Sequence, residues 1–143
     1  KNISGHSTIR KNVISLLEWC KEKSIICAVC TNKREDLAIK LLKDIKLYKY
    51  FDFIAGADTF EYRKPDPRHL TNILDILEIE KKNTIMLGDS ETDANTAKTA
   101  NIHFVLIKDG YTEKNLTDIH HDHLIEDFEV VKDIASNYLK IKE

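Results

Sequence analysis

The sequence has 143 residues, about the length of one ordinary domain, and 42% of its side chains are apolar, which is enough to form a single packed core. Its 22 basic and 24 acidic residues leave a net charge of −2, which argues against a nucleic-acid or membrane-surface partner. No apolar run approaches the roughly 20 residues of a membrane span, and the start KNISGHSTIRKN is not a secretory signal, so we expect a soluble cytoplasmic protein.

Three cysteines lie in the first part of the chain, at positions Cys20, Cys27 and Cys30. This small, odd number fits a reducing compartment better than a disulfide framework. Cys27 and Cys30 form a C-x-x-C pair, but they lie in the apolar run SIICAVCT, which is typical of a strand, where positions three apart point to opposite faces. No second cysteine pair or His-x-x-x-His motif follows, so we expect neither a redox pair nor a zinc site.

The first half of the chain predicts two helices, each followed by a strand. Apolar residues recur at helical spacing from Ile9 to Cys20 and again from Leu37 to Ile45. Between and after these helices, the apolar runs Ile25 to Cys30 and YFDFIAGAD predict two strands.

The second half continues the alternation of helices and strands. In KPDPRHLTNILDILEI, Asp66 is the expected N-cap and Pro67 the first residue of a helix with one apolar face. A strand TIMLG, a small-residue helix DANTAKTA, the strands HFVLI and HLI, and a helix with apolar residues from Val131 to Leu139 follow. Short apolar strands separated by helices predict a doubly wound α/β domain over residues 1–143, with a mostly parallel sheet and helices on both faces.

Ligand sites in such sheets form beyond the carboxyl ends of the strands, and the first predicted strand ends in Thr31 and Asn32. A Thr hydroxyl and a neighbouring backbone N–H at this place can hold phosphoryl oxygens near a helix N-terminus. Thr and Asn are also ordinary helix caps, and the tripeptide Thr31-Asn32-Lys33 taken alone favours capping.

A lysine and two aspartates follow the next predicted strands. Lys64 precedes Pro65, which restricts its backbone, and a fixed ammonium can neutralise a phosphate together with a carboxylate. Asp89 follows Gly88 at a strand end, and Asp93 comes one helical turn later; Mg²⁺ usually takes one or two such carboxylates plus water and phosphate oxygens. The ordinary alternatives are a solvated loop lysine and an acid that complements a helix dipole.

Taken in this order, the motifs VCTNKREDLAIKLL, YFDFIAGADTFEYRKPDP and TIMLGDSETDANTAK resemble those of the haloacid dehalogenase superfamily, and within it the phosphoglycolate phosphatase-like group. The resemblance implies a Mg²⁺-dependent phosphatase that acts on a small phosphorylated metabolite through an aspartyl phosphate. It assigns phosphoryl binding to Thr31 and Asn32, and it makes Lys64 the catalytic residue that bridges phosphate and nucleophile. Asp89 and Asp93 then form the metal site, Asp89 as the Mg²⁺ ligand and Asp93 as the support of the lysine and the metal shell.

The sequence departs from this family at one point, because no D-x-D followed by Gly-Thr occurs in it. In the family this motif supplies the nucleophile and the general acid/base, and its strand lies between the strands that end here at Thr31 and Asp89. The family's cap insertion is also missing, so we expect the chain alone to be inactive. Residues 1–8 are too short and polar to be a convincing replacement strand.

The missing strand predicts a gap in the centre of the sheet. The gap could be completed by a missing segment or by another chain, and the flanking strands would then lie roughly 10 Å apart, twice the usual strand spacing. Alternatively, the strands of Thr31 and Asp89 could pair directly, which would hide their exposed edges but collapse the site.

Two other functions stay open at this point. A shortened member of the family could act as a non-catalytic binding or interaction module, which the absent nucleophile favours. A receiver-type signalling domain also combines acids, a Thr and a Lys at strand ends, but receivers place their acids early and the lysine late. The polar cluster HHDH, His120 to His123, is expected to be a solvated loop and not a metal site.

Overall fold

The computed structural model of the chain describes residues 12–108 and 118–140. Helices and strands alternate along these residues, as the sequence predicts. The helices are α1 (Val13–Glu22), α2 (Glu35–Asp44), α3 (Pro67–Leu77), α4 (Glu91–Ala100) and α5 (Glu129–Leu139). The strands are β1 (Ala28–Cys30), β2 (Phe53–Ala55), β3 (Ile85–Gly88), β4 (His103–Ile107) and β5 (His123–Ile125). Within the described ranges, no helix has the length and apolar character needed to cross a membrane.

Cap residues set the starts of two helices. Asp66 accepts a hydrogen bond from the backbone N–H of Arg68 at 2.9 Å, which confirms it as the N-cap of α3. Ser90 caps α4 in the same way, so that helix begins before the predicted DANTAKTA. Ile9, which was predicted to belong to the first helix, lies outside the described residues.

All strand pairs among the described residues are parallel, but they form two sheets. β1 pairs with β2, with Ala28 opposite Phe53, while β3, β4 and β5 form a three-stranded sheet in that order. In the described part of the chain, β1 and β3 are not hydrogen-bonded to each other. Residues of both strands instead line a cavity of about 250 Å³ with mainly apolar walls. The direct pairing that would collapse the site is therefore absent.

The core lies on both faces of the three-stranded sheet. Alternate side chains of β4 point to opposite faces, as the strand period requires. Val105 and Ile107 pack in one cluster with residues of α1, α2 and α5, and Phe104 and Leu106 pack in a second cluster with residues of α3 and α4. The predicted α/β class with helices on both faces is confirmed. The segments that follow β1, β2 and β3, here called the rim, carry Thr31, Asn32, Lys64 and Asp89.

Candidate active site

Lys64 connects the two sheets at the carboxyl ends of β1 and β3. It lies in the loop before α3, where the Lys64–Pro65 peptide bond is cis. Its Nζ donates to the carbonyl oxygen of Cys30, the last residue of β1, at 2.8 Å, and to Oδ1 of Asp93 in α4 at 2.5 Å. The Lys64 and Asp93 side chains are only 4% and 3% exposed. The alternative of a solvated loop lysine is therefore wrong.

Asp93 is fixed by the elements around it. Its backbone N–H donates to Oγ of Ser90 at 3.1 Å, and a Cβ at Gly88 would lie only 2.5 Å from its side chain. Burial by itself raises the pKa of the Asp93 carboxyl, yet this pKa lies below its ordinary value, and the Lys64 ammonium is among the charges that lower it. Asp93 is thus an ionised carboxylate that holds the Lys64 ammonium.

Asn32 and His69 hold the backbone of Lys64. Asn32 donates from Nδ2 to the Lys64 carbonyl at 2.9 Å and accepts from the Lys64 N–H at 3.1 Å through Oδ1. The same N–H also donates to Nδ1 of His69 at 3.2 Å. Because Nδ1 accepts, the hydrogen-bond network assigns the ring proton to Nε2.

His69 was not identified from the sequence. Its ring is completely buried, and burial followed by the nearby Lys64 cation lowers its pKa, which favours the neutral form. The available sequence signal was a histidine beside the apolar positions Leu70 and Ile73 of a predicted helix. A histidine in that pattern is more typical of a residue packed in the core than of a functional residue.

Thr31 is buried and forms a local turn. Its hydroxyl accepts a hydrogen bond from the backbone N–H of Lys33 at 3.1 Å. Neither Thr31 nor Asn32 is the cap of α2, because the N-cap position is Arg34 and its side chain makes no capping hydrogen bond. The capping interpretation favoured by the tripeptide is therefore wrong. Asn32 binds the Lys64 loop instead.

Asp89 is half-buried and follows Gly88, the last residue of β3, which lies against the Asp93 side chain. Within residues 12–108 and 118–140, no group of three or more His, Cys, Asp or Glu side chains is arranged to hold a metal ion. Asp89 fits a Mg²⁺ site as one ligand, since Mg²⁺ needs only one or two protein carboxylates beside water and phosphate. Asp93 uses one carboxylate oxygen for Lys64. These two carboxylates by themselves do not complete a metal site.

The cysteines and the histidine cluster differ from expectation. Cys27 lies before β1, so strand alternation does not relate it to Cys30, and both residues line the central cavity together with Cys20. All three thiols are free. The HHDH segment packs against β4: Nε2 of His123 lies 3.0 Å from Nε2 of His103, so this segment is not simply a solvated loop.

Comparison with known proteins identifies the family of this chain. The chain matches the model of haloacid dehalogenase-like hydrolases over residues 1–107. It is 36% identical over 130 residues to the phosphoglycolate phosphatase of Mesorhizobium japonicum and 36% identical over 124 residues to that of Agrobacterium fabrum. These alignments cover 91% and 87% of this chain, but 57% and 53% of those proteins.

A solved structure supports the fold. The crystal structure of a predicted phosphoglycolate phosphatase from Haemophilus somnus aligns with a TM-score of 0.84 at 24% sequence identity, covering 89% of this chain and 57% of that one. The chain thus spans a little over half the length of the curated relatives reported above. It belongs to the haloacid dehalogenase-like hydrolase family.

Proposed function

We propose that this chain is the core of a Mg²⁺-dependent phosphatase for a small phosphomonoester, and that the chain by itself is inactive because it lacks the D-x-D-G-T nucleophile. The buried Lys64 ammonium carries the proposal. Within the described residues it uses two of its three N–H donors, on Cys30 and Asp93. The third remains for an oxygen of a phosphoryl group or of an incoming carboxylate.

Each residue of the rim has a role in this proposal. Lys64 offsets negative charge on the phosphoryl oxygens during transfer, and Asp93 keeps the lysine charged and in place. Thr31 and Asn32 bind the phosphoryl group, although in this structure the Asn32 amide holds Lys64. Asp89 would hold Mg²⁺, which when bound neutralises further charge on the phosphate.

The reaction consumes water, breaks the P–O ester bond and releases an alcohol and inorganic phosphate. The relatives named phosphoglycolate phosphatase support 2-phosphoglycolate as the first substrate to test. None of the rim residues above replaces the absent nucleophile, so a further segment or another chain has to supply it. We further propose that residues 1–143 form one core domain without a cap and that, given three free thiols, the protein is cytoplasmic.

A non-catalytic binding module is the second candidate function. It is favoured by the absence of the D-x-D-G-T motif from the sequence, together with the open space between β1 and β3. Such a module would keep the phosphate-binding residues without turnover. It predicts that inorganic phosphate binds to the 143-residue chain and that no extension of the chain adds activity.

The test is a phosphatase assay with Mg²⁺ and 2-phosphoglycolate on this chain and on a version extended upstream with its native coding sequence. We expect turnover only from the extended protein, and loss of that turnover in Lys64→Met and Asp89→Asn. Lys40→Met is the matched control, because Lys40 is an exposed lysine paired with Asp44 and should be dispensable.

Other results would contradict the proposal. Turnover by the 143-residue chain that Asp89→Asn abolishes would show that no essential part is missing. An extended protein that binds phosphate but never turns it over, whichever small phosphomonoester is supplied, would favour the binding module.

A further inference from the structure

We infer that His69 and Asn32 are positioning residues, which clamp the main chain of Lys64 and so fix the place of its ammonium. The activity part of this inference rests on the proposed function, whereas its structural part does not. The two residues come from different elements, Asn32 from the turn after β1 and His69 from the first turn of α3. They meet at Lys64, a loop residue whose backbone is not part of a helix or a strand.

The clamp accounts for both polar groups of the Lys64 backbone. The carbonyl accepts from Nδ2 of Asn32, and the N–H is shared between Oδ1 of Asn32 and Nδ1 of His69. At the other end of the side chain, Nζ is held by Cys30 and Asp93. A lysine side chain is long and flexible, so its ammonium has a defined position only when both ends are fixed.

His69 is the less expected half of the clamp. Packing alone would favour an apolar residue at this fully buried position, where the ring meets Phe60 edge-on with centroids 5.9 Å apart. A buried imidazole is costly because its polar nitrogens leave water. Nε2 makes no hydrogen bond of normal geometry to the described residues, although the Ala55 and Gly56 backbone lies near enough to the ring to raise its pKa. The well-formed hydrogen bond of the ring is the one that Nδ1 accepts from the Lys64 N–H. The acceptor at Nδ1, which forms the better hydrogen bond of the two nitrogens, is a property that an apolar side chain could not supply.

Substitutions at His69 separate the acceptor from the packing. His69→Leu keeps a similar volume and removes the acceptor, and His69→Asn can place an oxygen near the position of Nδ1. Leu74→Ala is the matched control, because it truncates another buried residue of α3 that makes no hydrogen bond to Lys64. Asn32 is at the surface, so Asn32→Ala removes the other half of the clamp even if His69→Leu does not fold.

The structural readout is NMR of the 143-residue chain, namely amide hydrogen exchange of Lys64 relative to Ile73 and the signal of the Lys64 ammonium. We expect His69→Leu and Asn32→Ala to accelerate the relative exchange by roughly tenfold and to shift the ammonium signal, as expected for local opening. His69→Asn should restore both. Unchanged values in His69→Leu and Asn32→Ala, or an equal change in Leu74→Ala, would overturn the inference.

The activity readout uses the extended protein. Because the clamp positions Lys64 for the transferring group, His69→Leu should lower kcat while KM changes little, and His69→Asn should recover part of kcat. A rise in KM with unchanged kcat would contradict a role in placing the ammonium. If the extended protein has no activity, the proposed function fails, and the NMR comparison still decides whether the clamp exists.

Discussion

Lys64 and Asp93 form an ion pair whose burial sets its energetic role. An exposed pair such as Lys40 with Asp44 contributes little to stability, because water screens it. The Lys64 and Asp93 side chains are almost completely buried, so removing one partner leaves an uncompensated charge in the interior. We expect Lys64→Met to lower the free energy of unfolding by about 3 to 5 kcal/mol in urea denaturation near neutral pH.

A second substitution tests the cause of that loss. Lys64→Met combined with Asp93→Asn removes both charges and should recover much of the lost stability, whereas the control Lys40→Met should change it by less than about 0.5 kcal/mol. If the double variant were as unstable as Lys64→Met, lost packing and not the unpaired carboxylate would explain the effect.

The site residues differ in how far the sequence predicted them. Thr31 and Asp89 directly follow predicted strands, so their places at the carboxyl ends of β1 and β3 could be read from the pattern. The bond between Asn32 and the Lys64 backbone depends on the path of an irregular loop, and no periodicity encodes that path. His69 was missed because a histidine on an apolar helix face has the same pattern whether it packs or positions a neighbour.

Among the elements, β4 and β5 begin with His103 and His123, whose Nε2 atoms lie 3.0 Å apart. Two protonated rings would place N–H donors face to face and repel each other. Burial lowers the pKa of His103, and the neighbouring His123 also lowers it, against the opposing effect of Asp122. The unfolded chain, with a histidine pKa of about 6.5, therefore binds the proton first as the pH falls.

The sign of the pH effect follows from this order of protonation. The contribution of His103 to stability is complete above about pH 6.5 and is lost as the pH falls below that value. We expect the urea midpoint to fall more between about pH 7 and pH 5 for the native chain than for His103→Phe. Phenylalanine keeps the stacking on Tyr138, whose ring centroid lies 4.1 Å from that of His103. If the urea midpoint fell equally in both proteins, this histidine pair would not contribute to the pH dependence of stability.

Element bounds were predictable where a local signal sets them. The Asp66 cap and Pro67 mark the start of α3 in the sequence itself, and the structure begins the helix there. The first strand was predicted from Ile25 but begins at Ala28, because β1 is only as long as its partner β2. The length of the partner strand depends on the tertiary structure and cannot be read from the apolar run SIICAVCT.

For the whole molecule, the opening between the sheets is the decisive feature. The opening was predicted because the sequence lacks the D-x-D-G-T motif and the strand that carries it. In the described structure, the edges of β1 and β3 border a cavity of about 250 Å³. A parallel strand placed there would join the two sheets into one and satisfy both edges. Cys27 and Cys30 line this cavity, so their reactivity reports whether a strand fills it.

Thiol labelling of the two forms of the protein therefore tests the strand gap directly. Burial raises the pKa of the Cys30 thiol to about 11, so alkylation in the 143-residue chain should be slow but measurable at alkaline pH. In the protein extended upstream with its native coding sequence, we expect Cys30 to react about tenfold more slowly still, because an added strand blocks access. A cysteine placed on exposed α2 by Lys40→Cys should react equally in both forms. Equal Cys30 rates would mean that the extension lies elsewhere and that the cavity is not the place of the missing strand.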